Sequence, residues 1–336
     1  MLESTRSQAA AERYGNHPVR TPGHVHVGNS PEPRPGCCWT DGMTHTATPY
    51  EPTANPALLD KARAFRALHD SARQHGAPLV LPNAWDTASA RIIEDAGAPA
   101  VATTSAGTAW GLGAADGDRL GRDRALELIA RIAAAVRVPV TADIEGGYGD
   151  GPEEVAETVR GVLAAGAVGV NIEDATHGGA VPLRPAPEQA ARLAAARRAA
   201  DAAGVPLFLN ARIDTYLTLA GPDEEARLKD TLERASVYVK AGADGIFVPG
   251  AVRPGTVRAL AEGIAAPLNV MAGPGAPSVA ELGALGVARV SVGAGIAQAA
   301  HALVREAARE ILTAGTYATL AGGLEYGELN SLFGRG

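Results

Sequence analysis

Two hydrophobic rhythms alternate along the chain from about residue 58 onward. The first is a short, almost unbroken apolar run, found at Leu79–Pro82, Ala100–Thr103, Val138–Ala142, Gly169–Ile172, Pro206–Asn210, Gly245–Val248, Pro267–Val270 and Ala288–Val292. Such runs are short for helices, and their continuous apolar character predicts strands buried on both faces, as in a parallel sheet. The second rhythm has helical spacing, over Arg124–Arg137, Pro152–Ala165, Pro187–Ala203, Asp223–Ala241 and Ser278–Leu285. Four of these segments run into Gly166, Gly204, Gly242 and Gly286, where a glycine supplies the left-handed conformation that ends a helix.

Strand and helix recur at a spacing of about 30 residues, the length of a βαβ unit. Eight strands with intervening helices predict an α/β fold, a closed parallel (β/α)8 barrel. An open doubly wound sheet would place a glycine-rich phosphate turn after its first strand; here the first strand runs into Asn83-Ala84-Trp85-Asp86-Thr87. Residues 299–336 are more than one closing helix requires, and the surplus predicts packing on a neighbouring subunit. At the other end, residues 1–55 are rich in Pro, Gly, Ser, Thr, His and Arg without an apolar period. That composition predicts a disordered leader ahead of a catalytic domain over 56–336. Met43 offers an alternative start, and His24, His26, Cys37 and Cys38 in the leader match no zinc-binding spacing.

Composition narrows the classes. Aromatic residues are 4% of the chain, so the core must be built from Val, Ile, Leu and Ala. A net charge of −7 without a basic stripe argues against nucleic acid and acidic membrane surfaces as partners. No apolar run reaches the roughly 18 residues of a membrane span. The two cysteines are adjacent and suggest no disulfide framework, and the expected location is cytoplasmic.

A barrel carries its chemistry where the strands end at their carboxyl face. After the third run comes Asp143-Ile144-Glu145-Gly146-Gly147-Tyr148-Gly149-Asp150. Residues two apart on a strand point the same way, so Asp143 and Glu145 are expected to face the mouth together. Two converging carboxylates call for a cation, and Mg²⁺ needs only one or two of them because it retains waters. The fourth run ends in Asn171-Ile172-Glu173-Asp174, adding Glu173 to the cluster and Asn171 to the mouth. The fifth ends in Asn210-Ala211-Arg212-Ile213-Asp214. Arg212 can either clamp a substrate anion with its planar fork or form a structural ion pair, with Asp214 as its partner. After the second run, Ser105, Ala106 and Gly107 would let backbone N–H groups face an oxyanion, and Asp116 further along that loop could reach the metal. Two glycine-rich turns, Met271–Ser278 and Val292–Ala297, follow the last two strands, either as a phosphate site or as plain tight turns.

The order of "PNAWDTASARI", "TTSAG", "LGAAD", "ADIEGGYGD", "GVNIEDA" and "NARIDTY" resembles the isocitrate lyase/phosphoenolpyruvate mutase superfamily over about residues 60–310. The resemblance implies a barrel whose last helix is exchanged between subunits of a homo-oligomer, a dimer or tetramer. It implies that Mg²⁺ binds a small 2-oxo acid and stabilises the enolate formed when a bond at C3 breaks. Asp143 then matches the acid nearest the metal, with Glu145, Glu173 and Asp116 holding its waters. Ser105, Ala106 and Gly107 match the segment that holds the pyruvyl oxygens, and Arg212 matches an arginine that contacts substrate.

Departures from the family pattern bear on the reaction. The lyases carry a cysteine-bearing loop after the fourth strand, whereas here the stretch is "EDATHGGAVPLRP", without cysteine. At the end of the sixth run, where relatives place His or Glu, stands Pro249. His177 is the replacement proton carrier in that loop, with an ordinary pKa suited to acid–base work. The expectation is a Mg²⁺-dependent carbon–carbon lyase or decarboxylase. Phosphorus–carbon chemistry on phosphoenolpyruvate or phosphonopyruvate is the alternative, and a non-catalytic barrel that binds a 2-oxo acid is a third.

Overall fold

The computed structural model of the chain describes residues 55–178 and 181–334. The leader, with its alternative start and its His and Cys residues, lies outside the described residues, apart from Asn55. Helix α1 (Pro56–His75) comes first: Asn55 caps it, its side chain accepting from the Ala57 N–H at 3.0 Å, Pro56 opens it, and Gly76 at φ 65° closes it. It buries Ala62, Phe65, His69 and Ala72 along one stripe.

The strands are β1 (Leu79–Leu81), β2 (Asn83–Ala84), β3 (Val101–Thr103), β4 (Val140–Asp143), β5 (Gly169–Glu173), β6 (Phe208–Arg212), β7 (Gly245–Val248), β8 (Leu268–Met271) and β9 (Arg289–Ser291). All their pairings are parallel, and the order is β1-β9-β8-β7-β6-β5-β4-β3-β2. β1 and β2 are adjacent in sequence, with only Pro82 between them. They form one strand that the proline splits, because proline has no N–H for the ladder. The first half pairs with β9 and the second with β3, which closes the (β/α)8 barrel. Asn83 secures this seam: its Oδ1 accepts from Val292 N at 3.0 Å, and its amide donates to the Thr103 carbonyl at 2.9 Å.

The helices around the barrel are α2 (Thr87–Asp95), α3 (Ser105–Gly111), α4 (Arg122–Ala135), α5 (Pro152–Ala164), α6 (Ala186–Ala202), α7 (Glu224–Lys240), α8 (Pro254–Gly263), α9 (Val279–Ala284), α10 (Gly295–Thr313) and α11 (Tyr326–Phe333). Gly166, Gly204, Gly242 and Gly286 all take positive φ, from 67° to 103°, in the helix-ending role expected of them. None of the helices is long and apolar enough to cross a membrane, among the described residues.

The core is aliphatic, as the composition requires. At the amino-terminal end of the barrel, His69 stacks on Phe208 at 3.7 Å between ring centroids and Phe65 meets the same ring edge-on at 5.7 Å, so α1 plugs that end. Nearer the carboxyl ends a layer of amides fills the interior. Asn210 donates to the side-chain oxygens of Asn171 (2.9 Å) and Asn269 (3.3 Å), and Asn269 donates to Ser291 Oγ (3.1 Å). This satisfied polar layer forms the floor beneath the barrel mouth.

Candidate active site

Above that floor opens a cavity of about 930 Å³. Asp143, Asp116, Ser105, Ala106, Asn171 and Arg212 line one side of it. Asp143 is the last residue of β4, and β4 pairs with β5 so that Asp143 lies beside Asn171. Ser105 holds one carboxylate oxygen: its hydroxyl donates to Asp143 Oδ2 at 2.9 Å and its N–H to the same atom at 3.3 Å. The other oxygen, Oδ1, receives only a long 3.4 Å contact from Glu145 N. Ser105 also starts α3, so the expected loop is helical. Its first-turn N–H groups at Ala106 and Gly107 have no acceptor within the helix. Gly107 does not line the cavity, because it faces Trp85, Thr104 and Ala297, where a Cβ would approach within 3.1 Å or less.

Asp116, Glu145 and Glu173 each feel the charge of Asp143, but Glu145 does not face the mouth beside Asp143 as alternation predicts, and no group of three or more His, Cys, Asp or Glu side chains is poised as a metal cage among the described residues. The reason is local. β4 stops at Asp143, and Glu145 sits in a turn with φ 51°. A left-handed non-glycine residue costs about 1 kcal/mol or more. Here it turns the carboxylate beneath the adjoining loop, where Glu145 accepts from the N–H groups of Gly117 (2.9 Å) and Asp118 and from Tyr148 OH (3.0 Å). Burial pushes the Glu145 carboxyl up to about 7. Arg192 braces the same turn by donating to the carbonyls of Gly146 and Gly149.

Glu173 is buried behind the cavity between two cationic partners. Arg212 Nη1 lies 2.5 Å from its Oε2, and His177 Nε2 lies 2.5 Å from its Oε1. Arg212 also spends Nε and Nη2 on Asp214, at 2.7 and 2.9 Å. Arg212 thus makes the ion pair with Asp214 and also lines the cavity, so the geometry accommodates both readings of it. His177 does not line the cavity; it reaches the site through Glu173. Its ring packs on Gly117, where any Cβ would lie 3.1 Å from the imidazole and where φ is 92°. The hydrogen bond to Glu173 lifts the imidazole to about 9, while burial raises the Glu173 carboxyl, so the pair holds a proton between them. Asp174, fully buried, ties this strand end to the next by accepting from Asp214 N (2.9 Å), Tyr238 OH (2.8 Å) and Arg234 Nη1 (3.1 Å).

A model of the family described as Phosphoenolpyruvate phosphomutase matches residues 65–312. The chain belongs to this family. It is similar to an uncharacterised protein of Mycobacterium tuberculosis, 39% identical over 241 residues that span 70% of this chain and 87% of the relative. It is also similar in structure to a Burkholderia cenocepacia protein described as a lyase/mutase, with a TM-score of 0.76 and 39% identity over 83% of this chain and 97% of the other. A phosphonopyruvate hydrolase solved with oxalate and Mg²⁺ superposes with a TM-score of 0.70 at 26% identity, over 82% and 95% of the two chains. Other relatives bear the names 2-methylisocitrate lyase and oxaloacetate decarboxylase. The phosphoenolpyruvate phosphomutase family is thus one of enzymes acting on small molecules, with lyases, mutases and hydrolases among its wider relatives.

Within the phosphomutase-family barrel, the donor set suits a hydrated Mg²⁺ better than a fully protein-ligated ion. It consists of oxygen donors, with Asp143 at the cavity wall and Asp116 at its rim. Both glycine-rich turns, Met271–Ala276 and Val292–Ile296, line the opposite rim, as does Pro249. Sequence reasoning passed over Leu217, Phe247 and Val252, which form an apolar wall of the cavity. It also passed over Arg192, whose place in α6 gave no sign that its side chain runs inward to the β4 turn.

Proposed function

We propose that the protein is a Mg²⁺-dependent enzyme that breaks a carbon–carbon bond at C3 of a 2-oxo acid, as a lyase or decarboxylase working through an enolate. The observation that carries the reading is Asp143, fixed by Ser105 and lining the cavity together with Asp116. A bound Mg²⁺ would supply Lewis-acid stabilisation of negative charge on the 2-oxo group. The chain's own groups do the rest. Asp143 and Asp116 would hold the hydrated ion, and the N–H group of Ala106 is available to an oxyanion. Arg212 fixes Glu173 and balances the acids. His177, hydrogen-bonded behind Glu173, would orient that carboxylate and add positive charge behind the site.

Phosphorus–carbon chemistry remains the second reading, supported by the family description itself. Against it stands the neutralised state of Arg212, since a phosphonate brings about two negative charges and would need a free cation. A homo-oligomer is also proposed. α10 and the segment after it expose Val304, Leu312, Leu324 and Tyr326, each more than half accessible, and an apolar face of that kind calls for a partner surface. The deciding experiment is release of pyruvate or another 2-oxo acid, with Mg²⁺ and with EDTA, from candidate 2-oxo acids and their aldol adducts. Release only with Mg²⁺ supports the lyase or decarboxylase reading. Release of phosphate from phosphonopyruvate would replace it with the second.

A further inference from the structure

Arg289 is the first residue of β9 and is buried, with 1% of its surface exposed. Ser291 follows two residues later, so both side chains leave the strand on its inner face. Ser291 lines the cavity and accepts from Asn269. Arg289 therefore lies deeper in the barrel than Ser291, beneath the mouth. None of its three guanidinium nitrogens has a hydrogen-bond partner among the described residues. A buried arginine is ordinarily paired. Arg192, equally buried, donates to Gln189 and to the carbonyls of Gly146 and Gly149.

The surroundings of Arg289 do not neutralise it. His69, whose imidazole the Arg289 charge helps to push down to about 3, is uncharged at neutral pH. Its Nδ1–H donates to the Phe65 carbonyl at 2.9 Å. Burial pushes the Arg289 guanidinium down to about 10, so it stays cationic at neutral pH, and the acid whose charge acts on it is Asp143. Asp143 in turn is held by the neutral donors of Ser105. Arg212 feels Asp143 as well, but its nitrogens are committed to Glu173 and Asp214. A buried cation without partners costs stability. What it supplies is a positive field below the mouth, from an interior that screens charge weakly.

We propose that Arg289 is a positioning residue that acts by its charge, favouring an anionic acid in the cavity and opposing Mg²⁺ at Asp143. Asp143 and Asp116 by themselves then hold the ion loosely, and the acid that enters with it is the ligand the buried charge assists. The inference rests on the Mg²⁺ reading above and assigns a role to a residue that touches neither metal nor acid.

The test is calorimetric titration of the full chain and of Arg289→Met, first with Mg²⁺ alone and then with oxalate at saturating Mg²⁺, together with the melting temperature of each. Methionine keeps the length of the side chain and removes the charge. The variant should bind Mg²⁺ about threefold to tenfold tighter and oxalate about threefold to tenfold weaker, the scale of one charge removed at a distance under partial screening. Its melting temperature should rise, because an unpaired buried charge gives way to an apolar group. Loss of packing alone would weaken both ligands together and lower the melting temperature. Affinities that move in the same direction, or do not move, overturn the inference. So does a variant that melts lower or fails to fold, since the charge would then have a structural partner. Absence of Mg²⁺ binding and of Mg²⁺-dependent oxalate binding in the unaltered chain would remove the metal reading and this inference with it. Intact binding there without opposed shifts in the variant removes the inference alone.

Discussion

His177 and Glu173 meet at 2.5 Å, and the far oxygen of the same carboxylate is held by Arg212. A histidine from a loop and an arginine from β6 thus share one buried acid, which neither touches substrate space nor is free to move. Groups of this kind orient the residues in front of them, and their loss in metal sites costs about 10- to 100-fold. His177→Gln should lower turnover by a factor in that range while leaving Mg²⁺ affinity, read by titration, unchanged. Full activity in the variant would reduce His177 to a loop residue.

Asp143 stands at the opposite extreme, facing the cavity with one oxygen in hand. Asp143→Ala should cut Mg²⁺-dependent turnover roughly a thousandfold, the scale of several kcal/mol of lost charge stabilisation. Circular dichroism and the melting temperature should be little altered, since the side chain packs in no apolar core. Retained turnover would move the metal elsewhere.

His69 gives a prediction about stability alone. Burial, with the nearby Arg289 charge adding to it, pushes its imidazole down to about 3. In the unfolded chain the ring protonates near the usual value of about 6.5. Between those two values the unfolded chain holds the extra proton, so stability falls as pH drops from about 6.5 towards 3, by up to about 1.4 kcal/mol per pH unit. Urea unfolding at a series of pH values should show this slope, and His69→Gln should flatten it. An unchanged slope would assign the acid sensitivity to other groups.

Asp174 binds three donors from two segments, the turn after β6 and α7, and is fully buried. Removing it leaves Arg234 and Tyr238 facing a hole. Asp174→Ala should cost about 3–5 kcal/mol of unfolding free energy, the usual penalty for breaking a buried charged pair. Denaturant midpoints would measure it, and a loss below about 1 kcal/mol would mean that water replaces the carboxylate without strain.

The barrel was legible because its signals are local. An apolar run followed by a helical stretch and a glycine at a fixed place is written into consecutive residues, and the positive φ of Gly166, Gly204, Gly242 and Gly286 follows from it. Helix α1 was not legible, because its buried stripe consists of two alanines, one phenylalanine and a histidine that becomes apolar only on stacking. Asp143 and Asn171 could be read from strand ends. Glu145 could not be placed, since nothing in "DIEGG" announces that β4 stops at its aspartate and that the glutamate two residues on turns left-handed. The apolar wall was invisible for a different reason. Leu217 and Val252 come from connections without any period, and only the closed ring brings them to one cavity.

The split first strand also gives the fold contacts of very high sequence separation. Leu79 must find Arg289, and Asn83 must find Val292, at a sequence separation of 209 in the second case. Contacts so distant in sequence come late and slow the whole reaction. Only β9, which pairs with both β1 and β8, joins the two ends of the sheet. The candidate mouth, whose rim includes the turn just after that strand, is therefore complete only when β9 is in place.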